Sequence, residues 1–249
     1  MQQQTIRIDK YLAQLNLVSR REAKKFFRSG RVMLNGFVEL DHGFEIIDGD
    51  KISIVSGEEL FPPARHKETV WAELLEFVVQ QSVTILLNKP VWYVCSEVDE
   101  WWHQSYKHLL EDCIYAPMLN IAWRLDQDTT GLVLATSDGD LNHRLTSPKS
   151  SKEKEYIVTC AKEISDANLI QLNEWVRLDG DYHTLPARTV RIDAFSFHLV
   201  IVEGKFHQVK RMCEAVDNEC IALQRIRIAD WTIEGLEEGK WREMRNVEL

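Results

Sequence analysis

Arg124-Leu125-Asp126-Gln127-Asp128-Thr129-Thr130-Gly131-Leu132-Val133-Leu134-Ala135-Thr136 sets a polar run directly against an apolar one. The apolar part, closed by the turn residues Ser137-Asp138-Gly139, predicts a buried strand over 131–136. The polar part then forms a loop delivered onto a sheet, the kind of rigid support on which reacting groups are held. Taken alone, R-L-D-x-D also fits an ordinary turn with a local ion pair. Two acids spaced D-x-D invite a magnesium site, but no third acidic ligand stands at a plausible spacing.

Around this stretch the pattern predicts further strands at 84–88, 92–96, 155–160, 186–192 and 197–203. Residues 206–216 carry Phe206, Val209, Met212, Cys213 and Val216 at helical spacing, which predicts a half-buried helix with those five on its buried face. His207, Lys210 and Arg211 fall on its polar side. Strands outnumber helices and several spacings suit hairpins, so the expected class is α+β, on a largely antiparallel or mixed sheet. No G-x-G-x-x-G, P-loop or internal repeat is present.

The first 56 residues read differently. Ile8, Tyr11, Leu12 and Leu15 recur at helical spacing, and Ser19-Arg20-Arg21-Glu22 has the form of a capping box. The helix it opens runs to Gly30, and Asn35-Gly36 joins two short strands as a hairpin. Arg20, Arg21, Lys24, Lys25 and Arg28 line one helix face, followed by Arg31. A solvated basic face is the plain reading of such a run; a phosphate-binding face is the functional one. Residues 57–83 read as a linker broken by Phe61-Pro62-Pro63, then an amphipathic helix bearing Val70, Leu74, Leu75 and Val78.

Composition bounds the alternatives. With 249 residues, 45% hydrophobic, only 11 Gly and 6 Pro, the chain is neither disordered nor fibrous. Its apolar runs are far shorter than the ~20 residues that span a bilayer, and no secretory signal is expected. Five cysteines without a C-x-x-C argue against a disulfide framework or zinc ribbon and predict a reducing cytoplasm. The net charge of −9 hides segregation. Residues 20–31 hold six bases against one acid, whereas residues 57–120 hold ten acids against four bases.

RIDKYLAQ followed by VSRREAKKFFRSGRVMLNG resembles the S4 RNA-binding domain. LLNKPVWYVCS (86–96), RLDQDTTGLVLATSDG (124–139), EKEYIV (153–158) and EGKFHQVKRM (203–212) resemble, in order, the RsuA/RluB/RluE/RluF branch of pseudouridine synthases. The organisation implied is an S4 domain at 1–57, linker and helix at 58–83, and a catalytic domain at 84–249. The resemblance implies a site-specific rRNA isomerase that needs no metal or organic cofactor. H-Q-V-K-R-M, HRLTSP (143–148) and KPxxYVCS resemble the members acting on 16S rather than 23S rRNA. A monomer is expected; naked RNA and a partly assembled subunit both remain open as substrates.

Carried onto this sequence, the family's roles make Asp126 the catalytic carboxylate, attacking C1′ or removing a sugar proton. Tyr156 would stack on the extruded uracil, and Lys210 would pair with Asp126. Arg124 would fill the gap left by the flipped nucleotide or clamp a neighbouring phosphate. Asn88, Lys89 and Thr129 would support the substrate site. His207 would carry a proton or contact phosphate, with Arg211 beside it among the RNA contacts. Trp92 replaces the family's usual Gly in KPxGYV and reads as core filler. Trp123 reads equally as site wall or core. The pair Trp101-Trp102 is expected to pack a loop, with one indole at most facing RNA. Two other readings compete: an RNA-binding assembly protein without turnover, and a hydrolase using Asp126 with Asp128.

Overall fold

The Ser19 hydroxyl accepts from the backbone N–H of Glu22 at 3.3 Å, starting the helix Arg20–Arg28. Ala23 and Phe27 point inward from it, while Arg20, Arg21, Lys24, Lys25 and Arg28 are all exposed. Gly30, at φ +71°, ends it in the left-handed conformation that glycine adopts without strain. The preceding helix, Ile8–Gln14, buries Ile8, Tyr11 and Leu12. Val32–Leu34 and Phe37–Val38 pair through the Asn35-Gly36 turn, and Lys51–Val55 adds on the other side of Val32–Leu34.

The computed structural model describes residues 4–55, 74–147, 150–178 and 182–244. It corrects the amphipathic helix expected before residue 83. Leu74–Val78 is a strand, antiparallel to Lys51–Val55, with Ile52 opposite Phe77 and Ile54 opposite Leu75. Its apolar residues are compatible with either period, and pairing with a neighbouring edge wins over local spacing. Val70 and the Phe61-Pro62-Pro63 linker lie outside the described residues.

The chain divides into two units, Met1–Val83 with Asp112–Leu119, and Thr84–Glu111 with Asn120–Leu249. Residues 112–119, expected with the catalytic half, therefore belong to the first unit. Ile114, Tyr115 and Met118 pack on its core, and the Tyr115 hydroxyl donates to the Val78 carbonyl at 2.6 Å.

The second unit is built on one mixed sheet. Its main path runs Arg188–Arg191, Ser196–Ile201, Lys154–Cys160, Cys220–Ile228, Thr130–Thr136, Thr84–Lys89, Trp241–Glu243. Along this path only the pairing of Thr130–Thr136 with Cys220–Ile228 is parallel. Leu132 and Leu134 alternate onto one face with Leu86 and Ile228, where Leu141 and Leu145 of the helix Gly139–Thr146 cover them. The strand Cys220–Ile228 is central, yet its sequence does not announce it. Arg225 and Arg227 fall inside its alternating pattern and read as surface, although Arg225 is almost fully buried. No described helix is long and apolar enough to cross a membrane.

Candidate active site

The loop Trp123–Thr129 joins two paired strands, Asn120–Ala122 and Thr130–Thr136, so its ends are fixed by a hairpin. Further bonds pin its middle. The Leu125 N–H donates to Cys95 Sγ at 3.3 Å, and the Trp92 N–H donates to the Gln127 carbonyl at 2.8 Å. From below, the Arg225 guanidinium donates to the Trp123 carbonyl at 2.6 Å and to the Leu132 carbonyl at 2.7 Å. A buried cation satisfied by two carbonyls thereby holds the loop to the sheet. At Gly131, φ +107°, a Cβ would lie 2.2 Å from the Arg225 carbonyl oxygen, so only glycine lets the two strands meet.

Asp126 sits at the top of this loop, its side chain one-third exposed. Lys210 reaches it from the helix Gln208–Glu214, with Nζ 3.0 Å from Asp126 Oδ2 and 2.6 Å from Asp128 Oδ1. His207 Nε2 stands 3.6 Å from the same Asp126 oxygen. Partial burial pushes the Asp128 carboxyl up, but the hydrogen bond and charge of Lys210 outweigh it and hold it below the usual carboxylate range. Lys210 is pushed down by burial and more strongly up by the two carboxylates, so it stays charged.

These groups open onto one cavity of about 680 Å³, within the range of ligand sites. Arg124, Asp126, Thr129, Tyr156, His207 and Lys210 all line it. Tyr156 follows an irregularity in the pairing of Lys154–Cys160 with Cys220–Ile228, a device that re-aims a side chain. The lining holds five Lys and Arg against three acids, so the site leans positive although the chain is negative.

Three expected residues stand elsewhere. Asn88 is buried and donates to the Leu236 carbonyl at 2.8 Å. Lys89 is fully buried, donating to the carbonyls of Pro90 and Tyr93, and burial lowers its pKa to about 8. Both therefore tie backbone around the strand that pairs with Thr130–Thr136, a supporting part. Arg211 lies outside the lining and donates to the Phe206 carbonyl at 3.1 Å.

Sequence reading missed Arg225 and left Lys154 without a role. Lys154 lines the cavity, lies over the Trp123 ring at 5.3 Å and has its pKa lowered to about 8, chiefly by burial. Phe206, expected on the buried helix face, precedes the helix, is 76% exposed and stacks on His207. Trp92, expected in the core, is 64% exposed and stacks on His103 at 5.6 Å. Its φ of +70° is in the left-handed region that glycine adopts without strain. Trp123 is half-buried and forms part of the cavity wall.

A mixed α+β sheet carrying this carboxylate–lysine pair follows, along the chain, an N-terminal unit whose helix Arg20–Arg28 exposes five bases. A family model described as RNA pseudouridylate synthase matches residues 83–215, and one for the S4 domain matches residues 6–52. The chain belongs to the RNA pseudouridylate synthase family and is an isomerase. Among its relatives is ribosomal small subunit pseudouridine synthase A of Haemophilus influenzae, 35% identical over 98% of both chains. The protein so described from Escherichia coli (strain K12) is 34% identical, again over 98% of each. A crystal structure of a pseudouridylate synthase matches with a TM-score of 0.62 at 32% identity, covering 96% of each chain.

Proposed function

We propose that the chain isomerises one uridine of ribosomal RNA, in 16S rRNA and of the uridine 516 type, in the cytoplasm during small-subunit maturation. The observation that carries this reading is the Asp126 carboxylate held by Lys210 at 3.0 Å inside a positively lined cavity that Tyr156 also faces. The similarity to small-subunit synthases over nearly the whole chain supports the choice of RNA.

The reaction breaks the N1–C1′ bond, turns the detached uracil and joins C5 to C1′. The proton lost from C5 is matched by one gained at N1, so the product is an isomer. A stacked uridine hides its sugar, so the nucleotide must be extruded, at a cost of a few kcal/mol offset by stacking and backbone contacts. In this proposal Asp126 acts at the sugar, as nucleophile on C1′ or as base for a sugar proton. Lys210, 3.0 Å away, holds that carboxylate in place. Tyr156 stacks on the uracil near C5, where the proton leaves. Arg124, exposed at the rim, takes the vacated position in the helix or a neighbouring phosphate.

Incubation with 16S and 23S rRNA fragments followed by pseudouridine mapping tests the reading. One converted uridine in 16S rRNA is the expected result. Conversion in 23S rRNA would overturn the choice of substrate, and a wild-type chain inactive on both would leave an RNA-binding protein.

The exposed face of Arg20, Lys24 and Arg28 is proposed to meet phosphates. Replacing all three by alanine is expected to reduce the slope of log affinity against log salt by about 2 to 3. The fold should stand, because these side chains leave the Ala23 and Phe27 contacts untouched. Titrations at several salt concentrations measure the slope; an unchanged slope would place the phosphate contacts elsewhere.

A further inference from the structure

Trp101 and Trp102 form the tip of a two-residue turn, and they are 93% and 90% exposed. The Glu100 N–H donates to the His103 carbonyl at 2.9 Å, and the His103 N–H returns the bond to Glu100 at 2.8 Å. Such reciprocal closure defines a tight hairpin, whose central positions favour Gly, Asn or Asp. Trp101 instead takes φ +52°, a strained conformation for a bulky side chain. The sequence expectation that this pair packs a loop is therefore corrected. Both rings stand in water on a turn that would form more readily without them.

The turn is rigidly carried. Asp99 accepts from the Ser105 N–H at 2.7 Å and bonds His108 at 3.0 Å. The Tyr106 hydroxyl, buried, donates to Glu97 at 2.9 Å, and Lys107 pairs with the same carboxylate at 3.1 Å. Two of the segment's acids are thus engaged inside the loop. The turn also continues the catalytic cavity. Glu100, before the indoles, lines that cavity, and His103, after them, stacks on Trp92, whose N–H holds the Gln127 carbonyl of the Asp126 loop.

We infer that Trp101 and Trp102 are a stacking platform for unpaired RNA bases flanking the nucleotide that enters the cavity. The inference rests on the proposed RNA-modifying reading of that cavity. Consecutive side chains of a turn project apart, so the two rings serve two different nucleotides. Continuity with the cavity favours RNA as the occupant over a protein surface. Stacking on an aromatic face tolerates any base, which suits flanks that must be held while another nucleotide is read. The turn contributes no Lys or Arg, so its share of the affinity is independent of salt, unlike that of a phosphate-binding helix.

The test uses the full chain with both tryptophans replaced by alanine, and an rRNA fragment that carries unpaired nucleotides on both sides of the target uridine. Equilibrium affinity is titrated at several salt concentrations. Both rings are exposed, so thermal unfolding should match the wild type. Affinity is expected to fall at least about tenfold, since loss of one stacked base alone costs about 5- to 150-fold. The salt slope should stay unchanged. Trp101→Phe with Trp102→Phe should recover most of the loss, and the corresponding leucine pair should not. Affinity unchanged in the alanine variant would overturn the inference. So would leucine restoring binding as well as phenylalanine, which would mark an apolar surface for a protein or a second copy. A wild type that binds the fragment but converts no uridine would sink the catalytic reading and leave this comparison decisive. A wild type that binds no RNA would sink both.

Discussion

Asp126→Asn is expected to lower the rate of pseudouridine formation by at least about 10³-fold while leaving fold and RNA affinity nearly intact. The amide keeps the size and shape of the carboxylate but can neither attack C1′ nor accept a sugar proton. What makes the variant informative is the double partnership of Lys210. With Asp126 neutral, the ammonium still has Asp128 at 2.6 Å, so no uncompensated charge is left in the cavity. The damage is then chemical, confined to the reacting group. Single-turnover assays on saturating RNA read the rate, and titration of the same variant reads affinity. A variant that keeps more than a tenth of the wild-type rate would remove Asp126 from the proposed mechanism.

Gly131→Ala is expected to cost the catalytic unit about 3–5 kcal/mol. Two faults combine at this residue. Its φ of +107° is a conformation that side chains with a Cβ rarely adopt, and the added methyl would lie 2.2 Å from Arg225 O and 2.7 Å from Arg225 N. Both obstructing atoms are backbone, so no side-chain rotation relieves the clash. Relief requires parting Thr130–Thr136 from Cys220–Ile228, whose pairing is limited to Thr130 with Gln224 and Gly131 with Arg225. Moving Arg225 also loosens its bonds to Trp123 and Leu132, and with them the loop that carries Asp126. Calorimetry should show the transition of this unit about 6–20 °C lower, at roughly 2–4 °C per kcal/mol. A shift under two degrees would mean that the sheet accommodates the methyl and that the close approach is not a constraint.

What sequence could and could not reveal follows from the range of the forces involved. The helix Arg20–Arg28 and the Asn35-Gly36 hairpin were legible because their determinants lie within a few residues. Asp126, Tyr156 and Lys210 stand in motifs of three separate segments, and the structure brings all three to one cavity. Leu74–Val78 misled because its fate depends on Lys51–Val55, an edge distant in sequence. Arg225 stayed hidden for a related reason. Its burial is offset by carbonyls of Trp123 and Leu132, far away along the chain, so nothing local marks it as interior. Asn88 and Lys89 stand in a motif block, but the backbone carbonyls they bond, among them those of Leu236 and Tyr93, are not marked by that block.

The assignment of Asp112–Leu119 to the first unit bears on how this protein can be dissected. A fragment beginning at Thr84 would carry Ile114, Tyr115 and Met118 away from the apolar surface that shelters them, and Tyr115 would lose its Val78 acceptor. The shortened product would therefore gain a sticky, solvent-facing segment, and its poor behaviour would say little about the catalytic sheet. Separating the two activities calls for point substitutions on the intact polypeptide, since the boundary between its halves is not a single place along the chain.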